Sequence, residues 1–425
     1  MFHMDRQGAL AWSNETCSSR LMRREDLEDL GDADTYVRGV PYESFRWMRR
    51  ESPVYFQKGR PGFRGFWAVT RYEDVAIVSK DPMRFSSARG GTNLEDFEEE
   101  ELNLLRLILL NMDPPQHAKF RRLVNYGFTP LVISFLEPRI RAVTTQILDK
   151  IAHRGEVDFV PTVAAELPLH VIAELLGLPH EERHKLFDWT NRLIGFDDPE
   201  FDTSKDDARV AAMEMWMYAN SLAEKRRSAE SHDFVSILLN AEVDGTRLTE
   251  AEFDAFFLVL AVAGNETTRN LVSGGMLALL QHPEQRARLL ADASLIPPAI
   301  EEMLRWVTPV TCFKRTATCD TELGGQKIRA NDKLVLYYAS ANRDESVFTD
   351  PHTFDIGRTP NEHLAFGVGE HFCLGSSLAR LEIRIMFTEL LRRFPDMELA
   401  GPVSRLRSNF LNGVKHMPVR FSPEK

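Results

Sequence analysis

The chain has 425 residues, 43% of them hydrophobic, enough for a large buried core and long enough for two or three domains. A formal net charge of −11 and a pI of about 5.6 argue against a nucleic-acid partner. Its four cysteines, Cys17, Cys312, Cys319 and Cys373, form neither a C-x-x-C pair nor a zinc-type spacing with histidine; such sparse usage fits a reducing cytosol.

Residues 1–20 are polar and mixed, lack an apolar stretch of signal-peptide length, and read as a disordered tail. A helical pattern begins near Glu25 and resumes over 42–50. Residues 53–56 and 66–70 read as two strands joined by a glycine-rich turn, and 72–80 as a short helix ended by Asp81-Pro82. The stretch 86–110 is ambiguous. It holds an acidic run (Glu95, Asp96 and Glu98 to Glu101), read as a solvated face, and then apolar residues 102–110. Met112-Asp113-Pro114-Pro115 precedes a helix on which His117 and Arg121, four residues apart, share a face. Helical patterns continue over 132–154 and 163–176. The charged stretch 180–231 reads as two helices separated by a loop at 196–201.

Thr249 and Glu252 form a capping box that opens a helix free of proline to about Gln281, roughly 48 Å long. It is apolar almost all round from 253 to 263, so it should cross the core. Its middle carries Ala263-Gly264-Asn265-Glu266-Thr267-Thr268. Glycine and threonine lower helix propensity there, and a buried unpaired glutamate is costly, so this segment reads as functional. The other reading of Thr267 and Glu266 is a hydroxyl bonded back to the helix and a member of a buried ion pair. Further on, a helix over 298–307 carries Glu302 and Arg305, and 316–338 alternates like strands around a Gly324-Gly325 turn. Cys312 and Cys319 could be hairpin neighbours, and a disulfide between them is one option. The last strands are expected over 410–421. No window reaches the apolar length of a membrane span.

The most informative stretch is Phe366-Gly367-Val368-Gly369-Glu370-His371-Phe372-Cys373-Leu374-Gly375, which opens into a strongly patterned helix. A cysteine just before a helix N-terminus has its thiolate favoured by free backbone N–H groups and the helix dipole. The glycines leave room for a flat partner to approach the backbone. Those are the needs of a haem iron with a thiolate ligand.

This stretch resembles the haem-binding loop of the cytochrome P-450 family, F-x-x-G-x-[HR]-x-C-x-G, with Phe366, Gly369, His371, Cys373 and Gly375 matching. Three further signatures match in order. The central segment resembles [AG]-G-x-[DE]-T-[TS]; Glu302 and Arg305 resemble E-x-x-R, with Arg358 as the arginine completing that triad; His117 and Arg121 resemble H-x-x-x-R. Arg315 sits where the family places another propionate arginine. The resemblance spans about residues 40–422. It implies a mainly α fold with small β-sheets, in which residues 21–425 form a single domain and haem lies between the long central helix and the helix after the cysteine loop. Cys373 would be the axial ligand of the haem iron. His117, Arg121, Arg315 and His371 would hold the propionates, with Phe366, Gly375 and Gly264 also bordering the cofactor. Thr267 and Glu266 would deliver protons to the oxygen side, Gly264 would let the helix open a groove there, and Glu302, Arg305 and Arg358 would brace the proximal side.

The resemblance further implies haem b, O2 as co-substrate, and NAD(P)H electrons arriving through a ferredoxin and its reductase, in a cytoplasmic monomer. Within the family, residues 263–270, 340–345, 197–200 and 411–416 resemble the bacterial branch that oxidises sterol side chains and methyl-branched lipids, and less closely monoterpene hydroxylases. The expected reaction is terminal hydroxylation of an apolar steroid, isoprenoid or branched lipid. The substrate pocket is expected from 102–110, 194–196 and 259–263. Glu370 departs from the pattern by placing an acid beside the proximal face, where the electron donor docks. A peroxide-driven haem-thiolate enzyme and a haem-binding sensor without turnover are the other readings.

Overall fold

The structure is a computed structural model that describes residues 22–195, 198–227 and 234–424. The tail expected over 1–20 therefore lies outside the described residues, as do Phe196 and Asp197 of the expected interhelical loop. The architecture is mainly helical with small sheets, as the sequence implied.

The central helix runs Glu250–Gln281. Its start is set by the predicted capping box: the Glu252 backbone N–H donates to Thr249 Oγ1 at 3.2 Å, and the Thr249 N–H donates to Glu252 Oε2 at 2.8 Å. Because its residues are apolar on nearly every side, neighbours pack all round it. Glu166–Leu175, Lys205–Arg227, Ile296–Val307 and Ser376–Arg393 all contact it. Most of the buried side chains of these helices belong to one continuous core.

A five-stranded sheet stands beside the helices in the order Val54–Gln57, Phe66–Val69, Lys333–Tyr337, Cys312–Ala317, Phe85–Ser86. The middle strand Lys333–Tyr337 is buried at every position, and its apolar run reflects cover on both faces. It pairs antiparallel with Cys312–Ala317 in a register that sets Arg315 opposite Leu334. That register brings Arg315 to the edge of the cavity described below. Gly324 and Gly325, at φ +55° and +75°, make the predicted turn between Thr321–Leu323 and Gln326–Ile328.

One expectation changes and another gains detail. Cys312 and Cys319 are both free thiols, the first fully buried and the second exposed, because the strand carrying Cys312 ends before Cys319 and the chain turns outward. The acidic run is a mostly exposed face, as expected, and cations also reach it. Glu95 meets Lys205 at 2.6 Å, Asp96 meets Lys333 at 2.6 Å, and Glu101 meets Arg209 at 3.0 Å. Part of the run forms the helix Glu99–Leu105, whose first turn gathers three glutamates where the dipole favours them.

Candidate active site

The loop that follows Asn361 is closed by a hydrogen bond from the Cys373 backbone N–H to Phe366 O at 2.9 Å. Inside that loop Gly367 and Gly369 take φ of +70° and +81°, and a Cβ at Gly369 would stand 2.8 Å from Ser79 O. Glycine is needed at 369 for both reasons. Gly375 then caps the helix Ser376–Arg393. A Cβ at Gly375 would meet no protein atom within 4 Å, so this glycine is kept for the room it leaves beside the cavity.

One cavity lies between this loop and the central helix. Val259, Ala263, Gly264 and Thr267 line one side, and Phe366, Cys373 and Gly375 the other. Burial raises the Cys373 thiol pKa, while the Gly375 N–H and the charges of Arg121 and Arg380 oppose that rise. Arg380 is held by a two-point ion pair with Glu301 (2.7 and 2.8 Å), and its guanidinium lies 4.5 Å from the Phe366 ring centre. The loop is thus braced from its proximal side.

His371, Arg121 and Arg315 also line the cavity, and His117 packs against His371 with ring centres 4.2 Å apart. These four basic groups crowd one corner. Burial and the neighbouring cations push His117 down to about 4 and His371 to about 2. Burial also lowers both arginines. Among the described residues neither arginine is ion-paired: Arg121 donates to Phe372 O at 2.7 Å and Arg315 to Lys314 O at 2.8 Å. His117 Nε2 is buried without a hydrogen-bond partner, and the nearest carboxylate, Glu370, stands 4.0 Å from its other nitrogen. Such a corner fits a ligand carrying two carboxylates. The open space at Gly375, the thiol of Cys373 and this corner together fit a haem with its propionates.

The central segment behaves differently from expectation. Thr267 lines the cavity, but its hydroxyl donates back to Ala263 O at 2.7 Å. Glu266 is buried away from the cavity wall and pairs with Arg269 at 3.2 Å. The helix is continuous through Gly264, with no break to open a groove. A Cβ on Gly264 would come within 2.3 Å of Ile172 Cδ1, so glycine here lets the helix Glu166–Leu175 pack closely. The proximal triad is assembled. Glu302 accepts from Arg305 at 2.8 and 2.7 Å and from Arg358 at 3.1 Å, and Arg305 also donates to the carbonyls of Asn342, Pro351 and Thr353.

Val259 and Ala263 reach the cavity as expected, but of residues 102–110 only Leu109 and Leu110 do. Leu104 is 53% exposed because the short helix turns it outward. Of residues 194–196, the side chain of 194 and the whole of 196 fall outside what the structure describes, and Gly195 is buried away from the cavity. Phe313 and Tyr338, from the sheet region, and Ile172 join the wall without having been singled out. So does Glu382. Its signal was visible: it stands four residues from both Leu378 and Met386 on the apolar face of its helix.

The cytochrome P450 family model matches residues 34–400, and the chain belongs to that family. It is a P450 monooxygenase, a haem enzyme that uses O2 and reducing electrons. Among similar proteins, a steroid C26-monooxygenase of Rhodococcus jostii is 42% identical over 402 residues, covering 92% of this chain and 84% of the relative. A methyl-branched lipid omega-hydroxylase of Mycobacterium tuberculosis is 42% identical over 389 residues, covering 89% and 90%. A Mycobacterium marinum cytochrome P450 solved in complex with pseudoionone superposes with a TM-score of 0.86 at 39% identity, covering 95% of this chain and all of that one. No helix among the described residues is long and apolar enough to cross a membrane.

Proposed function

We propose that the protein hydroxylates the terminal carbon of an elongated apolar molecule, a steroid side chain, isoprenoid or methyl-branched lipid. The observation that carries this reading is the cavity itself: the Cys373 thiol and the Thr267 hydroxyl border a space otherwise lined mainly by apolar side chains such as Val259, Leu260, Phe256 and Val310. The names borne by the similar steroid and branched-lipid enzymes support the same substrate class. The reading includes haem b as cofactor, NAD(P)H as electron source through a ferredoxin and its reductase, and a cytoplasmic monomer folded as one domain over 21–425.

When bound, the haem iron supplies the binding and reductive activation of O2. The chain does the rest. Cys373 would ligate the iron as a thiolate, which the Gly375 N–H and the nearby arginines favour. His117, Arg121, Arg315 and His371 would hold the propionates. The apolar wall keeps water from the reacting carbon and orients the substrate by shape. Thr267, with its proton given to Ala263 O, presents lone pairs to the cavity, where it accepts a hydrogen bond and orders the proton donor. Glu266 carries a proton only after its carboxylate turns away from Arg269.

Thr267→Ala should retain haem and substrate binding while diverting reducing equivalents to hydrogen peroxide. Product formed per NADH should fall several-fold, short of the roughly 10²–10⁴-fold loss expected when a proton-transfer group is removed outright. An unchanged yield would take Thr267 out of the mechanism.

Substrate class is read from the haem absorption shift on binding. A pocket that selects by shape discriminates one methylene by only about 1–3 kcal/mol, so a range of long molecules should bind. A sterone and a methyl-branched alcohol should bind more tightly than a compact monoterpene. Tight binding of the monoterpene alone would reject the lipid reading and promote terpene hydroxylation.

A further inference from the structure

His363 stands just before the cysteine loop, its side chain buried. Its Nδ1 accepts a hydrogen bond from the Ala365 backbone N–H at 3.2 Å, so Nε2 carries the ring hydrogen and donates to Glu301 Oε2 at 3.2 Å. Glu301 lies on the helix Ile296–Val307, next to Glu302, yet it serves a different partner. Its Oε1 accepts from Arg380 Nε at 2.7 Å and its Oε2 from Arg380 Nη2 at 2.8 Å. The guanidinium so held lies 4.5 Å from the centre of the Phe366 ring, and the His363 ring centre is 6.1 Å from the same ring. Phe366 O in turn takes the Cys373 N–H. Arg380 and His363 thus flank the residue that closes the cysteine loop, and Glu301 ties the two together.

Apolar contacts alone can brace a loop; this arrangement adds a cation in a fixed position. A two-point fork on a carboxylate and an aromatic face leave the guanidinium little freedom to turn. Against the cost of burial, Arg380 and His363 hold the Glu301 carboxyl down to about 2, so the ion pair persists at physiological pH. Glu301 above all, and Cys373 as well, favour the charged form of Arg380. Burial opposes the Cys373 thiolate, whereas Arg121 and Arg380 are the charges that favour it. Glu301 is not among the charges that bear on the sulfur, so the pair presents its positive end to the ligand. Arg121 belongs to the corner suited to the propionates, whose carboxylates would offset it.

We propose that Arg380 is a fixed positive charge that raises the reduction potential of the iron bound at Cys373, and that Glu301 and His363 are positioning residues that keep it there. The inference rests on the haem-thiolate reading above. A cation beside the thiolate stabilises the ligand set most once the iron has gained an electron, because the complex then carries one more negative charge. Arg380 therefore favours the reduced form and makes the first electron easier to accept. No bond is made or broken and no proton moves; the three side chains act only by where they hold charge. The effect is modest, because the Arg380 side chain is 37% exposed and water screens it.

The test is a redox titration of the holoenzyme and needs neither substrate nor turnover. Arg380→Gln stays polar but uncharged, and it should keep the thiolate-type CO spectrum. At a fixed mediator potential its ratio of ferric to ferrous form should rise roughly three- to tenfold, which is about 30–60 mV for a one-electron couple. Arg380→Lys restores the charge without the fork and should recover most of that shift. A side chain that served only to brace the loop would be lost alike in both. Arg380→Met takes the place of the uncharged variant if the glutamine form takes up no haem. His363→Phe keeps an aromatic ring beside Phe366 but loses the hydrogen bond to Glu301, and it should move the potential in the same direction by a smaller amount. A potential unchanged in the uncharged variant, or equal shifts in it and in Arg380→Lys, overturns the proposal. A potential unchanged in His363→Phe overturns the role given to His363. Failure of the wild type to hydroxylate any long apolar substrate would instead count against the functional reading and leave these potentials standing.

Discussion

Cys373→Ser should lose the thiolate-type spectrum of the reduced CO complex and fall to background turnover. Cysteine ionises far more readily than serine, and the thiolate is the species that ligates metal. Among the described residues no other cysteine stands near the cavity. Cys312 is fully buried in the sheet, where burial pushes its thiol well up, and Cys319 is exposed; neither borders the cavity. The serine side chain is slightly smaller and should not disturb the loop, whose closure depends on the Cys373 backbone N–H and on Gly369. Haem content and the CO difference spectrum check the outcome. Survival of the thiolate-type spectrum would show that another cysteine is the ligand.

Glu302→Ala should yield little soluble holoprotein. Glu302 and Arg305 are both fully buried, and the carboxylate also accepts from Arg358, Asn361 and the Asp355 backbone N–H. Its removal leaves the Arg305 charge without its counter-ion, at a cost of about 3–5 kcal/mol. That is a large share of the total stability of an ordinary domain. Thermal unfolding and haem recovery measure the effect. Glu302→Gln keeps the shape and some of the hydrogen bonds but removes the charge, so it should be the milder variant. Normal yield of Glu302→Ala would mean that the backbone carbonyls around Arg305 suffice to hold it.

What was legible in the sequence follows the physics of each signal. The capping box of Thr249 and Glu252 is local, so the start of the central helix could be placed. Its end before Pro283 was equally local. The cysteine loop was legible because its glycines, cysteine and aromatic residues lie within ten positions and depend on one another. The match of Glu302 to Arg358 across 56 residues came from family pattern, since nothing local predicts that contact. The partners of Glu266 and Thr267 were not legible. Whether a mid-helix threonine bonds back to its helix, and whether a glutamate turns toward Arg269 or toward a cavity, depends on side-chain rotamers and on what packs opposite. The acidic run is the solvated face that its charge density suggested, but its partners were not legible, because Lys205, Arg209 and Lys333 reach it from far along the chain. The leucine-rich 102–110 shows the limit of composition: a short helix with one buried edge turns Leu104 outward and leaves only Leu109 and Leu110 at the cavity.

The basic corner formed by His117, Arg121, Arg315 and His371 bears on how the protein is made. Without a dianion in this corner, Arg121 and Arg315 hold their charges in a poorly hydrated space with no carboxylate partner among the described residues, and the two histidines give up their protons. The carboxylates of a cofactor bound in this corner would relieve that electrostatic penalty. Binding to the folded state alone adds stability in proportion to the logarithm of ligand concentration over its dissociation constant. The amount of intact protein in a cell is thereby coupled to the cell's haem supply: chains synthesised faster than haem is produced would spend longer in a looser form exposed to proteases. An array of side chains suited to gripping a cofactor thus also sets the terms of the protein's own turnover.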